Sequence, residues 1–162
     1  MRAILVLAFA FLALPSQAKL ISGRVVHVAD GDTVTGPNAN KMQHKVRLAG
    51  IDAPEKSQAY GESSQESLAE LVANRTVIVD TDKQDRYGRR VGKVLVNGKD
   101  VNVEQIRGGL AWFYRLHEQE LSDADRQSYD RAEGGARDYR RGLWADPRPV
   151  PPWEFRAGGR RR

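Results

Sequence analysis

Three short runs hold side chains that could act together: Asp30-Gly31-Asp32-Thr33, the stretch from Arg47 to Glu55, and Asp85-Arg86-Tyr87-Gly88-Arg89. Asp32 follows a glycine turn and Asp52 ends a strand-like stretch. A fold that joins these ends gives one ion two hard oxygen ligands, which favours calcium or magnesium over zinc. Ala53 precedes Pro54, whose ring pushes it toward extended backbone, so its main-chain carbonyl is restrained as a candidate third oxygen ligand. His27, His44 and His117 lack metal-ligand spacing and the chain has no cysteine, which argues against zinc. Glu55, just past the proline, could take a proton from an attacking water. Arg47 and Arg89 can each fork onto phosphate oxygens and offset charge developing on phosphorus, which lysine cannot match. Arg86, Tyr87 and Tyr114 are candidate substrate contacts, the tyrosines by stacking on a base or sugar. Singly, each residue has a plainer explanation: Asp30 and Asp32 could shape a turn, Asp52 could pair with Arg47, and Glu55 could be solvated. Their order and mutual spacing carry the argument.

Those residues need elements to hold them. Residues 22–28 and the stretch from Thr33 alternate and are β-branched, with Asp30-Gly31 between them, so they read as a hairpin. Residues 44–51 alternate again and set Arg47 opposite Val46 and Leu48 as a third strand. Residues 60–74 change to a helical stripe of Leu68, Leu71 and Val72, with Ser63 and Glu66 spaced as a capping box. Residues 76–80 and 90–96 read as strands, the second ending at the Asn97-Gly98 turn. Residues 101–106 suit a short helix closed by Gly108-Gly109. Residues 123–141 are helical in composition, although Gly134-Gly135 should cost about 1 kcal/mol per glycine and invites a split. Five strands with about three helices predict a mainly β, α+β chain: a small, partly open OB-fold barrel. Pro147, Pro149, Pro151 and Pro152 then predict extended geometry and Arg160–Arg162 a loose tail. Trp144, Trp153 and Phe155 are expected to pin this extension to the domain.

At the other end, Arg2, an apolar run from Ala3 to Pro15 and the small residues of Ser16-Gln17-Ala18 predict a cleaved secretory signal, hence a secreted or periplasmic protein starting at Lys19. The apolar run is shorter than the roughly 20 residues of a membrane span, so no stable membrane insertion is expected. The expected organisation is a signal at 1–18, a domain at 19–145 and a Pro/Arg-rich extension at 146–162. The formal net charge of +5 favours a polyanionic partner.

The chain resembles the staphylococcal nuclease (thermonuclease) family over residues 22–145. The resemblance rests on Asp30-Gly31-Asp32-Thr33, Arg47 five residues before Asp52, Pro54-Glu55, Asp85-Arg86-Tyr87-Gly88-Arg89, Val101-Asn102 and Gly142-Leu143-Trp144. It implies an OB-fold and a calcium-dependent phosphodiesterase acting on DNA and RNA. Asp32, Asp52 and the Ala53 carbonyl would hold one calcium ion, Glu55 would be the general base, and Arg47 and Arg89 would bind phosphate. Water attack with loss of the 5′ oxygen would leave 3′-phosphate ends. A monomer preferring single strands is expected. Ala53 stands where the family prototype has threonine, and residues 111–114 align with its tyrosine-bearing stretch only after a shift. The competing readings are a noncatalytic OB-fold that binds nucleic acid, and a basic exported protein that docks on anionic surfaces.

Overall fold

Short strands dominate from Lys19 to Asp100, where β-branched residues recur and the longer strands turn an apolar face inward. The computed structural model describes residues 19–39 and 42–159. The strands are β1 (Lys19–Arg24), β2 (His27–Val28), β3 (Thr33–Ala39), β4 (Met42–Leu48), β5 (Ile51–Asp52), β6 (Thr76–Gln84), β7 (Arg90–Val96), β8 (Lys99–Asp100) and β9 (Trp112–Phe113). The helices are α1 (Gly61–Val72), α2 (Val101–Arg107), α3 (Asp123–Asp138) and α4 (Pro152–Gly159). The stretch read as an export signal and the tail Arg160–Arg162 lie outside the described residues.

The main sheet runs β1-β6-β7-β4-β3-β2, with β8 on β7, while β5 and β9 pair separately. Its two ends are consecutive in sequence. β1 pairs with β6 and β2 with β3, and between them the Val25 amide donates to the Arg75 carbonyl and the Val26 amide to the Thr35 carbonyl. One bent segment therefore serves both edges and curls the sheet into the partly open barrel of an OB-fold. Val34, Val46, Leu48, Val77, Val79 and Val94 form its apolar core, continued by Leu68 and Val72 of α1 and by Val101 and Ile106 of α2.

Four local expectations differ from what the chain does. Residues 22–28 are not one hairpin arm, because the bend at Val25-Val26 sends the first half to β6 and so covers an edge that would otherwise be open. The Ser63–Glu66 capping box is not made. The helix starts earlier, at Gly61 after a left-handed Tyr60 (φ 65°), and a Cβ on Gly61 would lie 2.0 Å from the Glu55 carbonyl oxygen. α3 runs unbroken through Gly134-Gly135 because its face of Tyr129, Ala132, Glu133 and Ala136 is buried, which offsets the glycine cost. Residues 152–159 are helical: proline suits the first turn of a helix, where no amide hydrogen bond is lost.

Candidate active site

The carboxylates are brought together by register and by three buried polar side chains. Thr33 pairs with Arg47 across β3 and β4, and the Leu48 amide donates to the Asp32 carbonyl at 2.8 Å, so the Asp30–Asp32 turn lies beside β4. Gln105 of α2 donates to the carbonyls of Gly31 (2.8 Å) and Ser64 (3.0 Å). A Cβ on Gly31 would sit 1.8 Å from the Ser64 hydroxyl oxygen, so this turn tolerates only glycine at its current depth. Asn102 accepts from the Val94 amide at 3.0 Å and donates to the Ala49 carbonyl at 2.9 Å, which ties the turn before β5 to β7. After β5, the Gln58 amide donates to the Glu55 carbonyl and the Gln58 side chain accepts from the Glu55 amide, fixing where Glu55 leaves the loop.

Arg47 lies at the centre. Its Nη1 is 2.8 Å from Asp32 Oδ2 and donates to the Ile51 carbonyl at 2.9 Å, while Nη2 is 2.9 Å from Asp52 Oδ1. Asp32 also accepts from the Ala53 amide at 2.8 Å and from the Thr33 hydroxyl at 3.0 Å. Both aspartates are nearly sealed from water, at 6% and 1% exposure. Burial pushes the Asp32 carboxyl up to about 6 despite the Arg47 charge, and burial likewise raises Asp52 against the pull of its arginines. Asp30 shapes the turn by accepting the Asp32 amide at 3.0 Å.

Arg89 faces the same cleft, of about 740 Å³, from the β6–β7 loop. Asp85 holds that loop by accepting the amides of Tyr87 and Arg89 and the Arg89 Nε, at 2.9, 2.9 and 2.7 Å. Desolvation works to raise the Asp85 carboxyl, but these hydrogen bonds outweigh it and leave the group below its ordinary value. The exposed Tyr87 ring carries the Arg86 guanidinium at 4.9 Å and the Arg89 guanidinium at 5.5 Å from its centroid. Tyr114 also borders the cleft: its amide donates to the Gly50 carbonyl, and its ring lies 5.4 Å from that of Trp153 and 5.3 Å from that of His117.

No group of three His, Cys, Asp or Glu side chains that could hold a metal occurs among the described residues, so a cation here would need main-chain oxygen beside two carboxylates. The donor chemistry fits a hard cation. Asp32 and Asp52 are desolvated, share one guanidinium and offer only oxygen.

Sequence reasoning missed Arg156. From α4 its Nη2 lies 2.7 Å from Asp52 Oδ2 and its Nη1 2.7 Å from Glu55 Oε1. These carboxylates, the Asp52 hydrogen bond first, raise the Arg156 pKa and hold the guanidinium charged. The available signal was Pro151-Pro152 as a helix start, followed by Trp153 and Arg156 three apart on one face. Trp153 stands against Trp112, 5.6 Å between rings, as expected of a residue that pins the segment, while Phe155 keeps 38% of its surface exposed. Asn102, Gln105 and Ser64 were missed because nothing local distinguishes a buried polar residue on a helix.

Residues 45–146 match the family described as staphylococcal nuclease homologues. The chain is 42% identical to Protein ParB of Escherichia coli over 96% of its own length and 90% of the relative's. It is 44% identical to an uncharacterized endonuclease of Escherichia coli O157:H7, covering 84% and 85% of the two chains. It is 34% identical to the micrococcal nuclease of Shigella flexneri, covering 96% and 91%.

Proposed function

Because this chain belongs to the staphylococcal nuclease family, we propose that it is a nuclease, a calcium-dependent phosphodiesterase that hydrolyses DNA and RNA with low sequence specificity. The observation that carries this reading is the meeting of Asp32, Arg47, Asp52 and Glu55 in the cleft that Arg89 also lines.

Asp32, Asp52 and the Ala53 carbonyl would hold the calcium, which when bound polarises a phosphoryl oxygen and eases deprotonation of water. Arg47 and Arg89 fork onto the phosphate and meet the charge that grows on it. Glu55 takes the proton of the attacking water as oxygen joins phosphorus. The bond from phosphorus to the 5′ oxygen breaks, that oxygen takes a proton from solvent to become a 5′-hydroxyl, and the other fragment keeps a 3′-phosphate end. Contacts to phosphate carry no base identity, which accounts for low specificity. Exposed Tyr87, beside Arg86, suits stacking with an unpaired base and supports a preference for single strands. The reading takes the protein as a monomer, since the chemistry it assigns needs no residue beyond Asp32, Arg47, Asp52, Ala53, Glu55 and Arg89 of this chain. The character of residues 1–18 supports action outside the cytoplasm, and no helix among the described residues is long and apolar enough to cross a membrane. The nuclease domain then spans 19–145, with 146–162 as its extension.

The protein starting at Lys19 should cleave single-stranded DNA and RNA when calcium is present and stop on chelation. Cleavage that survives chelation overturns the metal assignment. Binding of oligonucleotide without cleavage across calcium, magnesium and manganese makes it a binding module instead.

A further inference from the structure

The last described helix enters the proposed site. Trp112 of β9 sits directly across from Asp52 in the β5–β9 pair. The Trp153 ring lies 5.6 Å from Trp112 and 5.4 Å from Tyr114, and Pro151 and Pro152 are buried beside it. The Gln58 side chain, which also accepts from the Glu55 amide, donates to the Val150 carbonyl at 2.5 Å. The segment is thus anchored next to both Asp52 and Glu55. One helical turn beyond Trp153, on the same face, Arg156 reaches the carboxylates.

Its guanidinium covers both oxygens of Asp52, with Nη2 2.7 Å from Oδ2 and Nη1 3.3 Å from Oδ1, and it also holds Glu55 Oε1 at 2.7 Å. Arg47 takes Asp52 Oδ1 as well, at 2.9 Å. A cation seeking Asp52 as a ligand therefore meets oxygens already given to guanidinium, and the same contact occupies the carboxylate read as the base. We propose that Arg156 is a resident counter-cation of the carboxylate site, delivered by the docked α4, which a divalent cation must displace before the site is competent. This rests on the nuclease reading of the site and adds a brake on cation loading to it.

Calcium titration calorimetry without nucleic acid, on the protein starting at Lys19, tests this apart from activity. Arg156→Gln should bind calcium about tenfold more tightly, the scale of one lost charge-assisted hydrogen bond. Trp153→Ala, which keeps the arginine but loosens its helix, should shift affinity the same way. Arg148→Gln removes an equal charge from an exposed position of the same segment and should change affinity less than about twofold, the scale of an exposed charge. Equal or weaker calcium binding by Arg156→Gln overturns the brake and leaves the nuclease reading intact. An equal gain in Arg148→Gln also overturns it, since net charge would then explain the effect. If neither the parent nor Arg156→Gln binds calcium, magnesium or manganese, the cation site falls and the brake with it. Should Trp153→Ala fail to fold by circular dichroism, the Arg156→Gln and Arg148→Gln pair decides alone.

Discussion

Arg47 and Arg89 have the same side chain but different surroundings, and the difference separates their expected effects. Arg47 neutralises two buried carboxylates and is itself mostly enclosed. Removing one partner of a buried charge cluster strands the other, at a cost of roughly 3–5 kcal/mol. Arg47→Ala should therefore lose both turnover and several degrees of melting temperature, measured with chelator present. Arg89 stands at the cleft wall, where among the described residues it pairs with one carboxylate, Asp85, and stacks on the exposed Tyr87 ring. Arg89→Ala and Glu55→Gln should each cut turnover by about 10²–10⁴-fold while melting stays near the parent value. An unchanged rate in either variant removes that residue from the chemistry. These charged residues were all legible in the sequence, because residue type and close spacing express both their chemistry and their grouping. From the sequence, a pairing of Asp52 with Arg47 is the plain alternative to a functional role. The pair exists, and it lines the cleft in which the proposed cation would sit.

Elements position the site through contacts that a linear reading passes over. The β6–β7 loop depends on Asp85, which closes it with three hydrogen bonds. Because the folded-state pKa of Asp85 is depressed, its contribution to stability is present above the ordinary value of 3.8 and is lost as pH falls through the lower folded value. Asp85→Asn should thus be less stable than the parent by about 1 kcal/mol at pH 7, with the gap narrowing below pH 3.8 in urea titrations. On the opposite side, Asn102 joins α2 to β7 and to the turn before β5. Asn102→Ala leaves buried main-chain groups unpaired and should cost about 2–3 kcal/mol in the same titrations. The sequence indicated a helix opening at Val101-Asn102, but not that Asn102 is a fastener, since periodicity reports which face is buried and says nothing of what a buried amide meets. The helix at 152–159 is hidden in the sequence for a related reason: clustered prolines suggest extended backbone, whereas Pro152 stands where a helix accepts one.

At the scale of the molecule, the cleft lining mixes Arg47, Lys83, Arg86, Arg89 and Arg156 with Asp30, Asp32, Asp52, Glu55, Asp85 and Glu120, so the basic balance that suits a polyanion is that of the whole chain, at a formal +5. Binding of single-stranded DNA should weaken linearly with the logarithm of salt concentration, and Arg86→Ala should reduce that slope by about 0.7 while leaving turnover at saturation unchanged. An unaltered slope would take Arg86 out of the contact surface. The sequence by itself determined the barrel class, the acidic turn, the strand-borne Arg47 and the loop-borne Arg89, because alternation, turn chemistry and residue type are local properties. Tertiary structure alone decided that one bent strand serves both edges of the sheet, that Tyr114 reaches the cleft beside Trp153, and that Arg156 meets Asp52 across 104 residues of chain. Such contacts depend on how the barrel closes and where the last helix docks, and no local spacing encodes either.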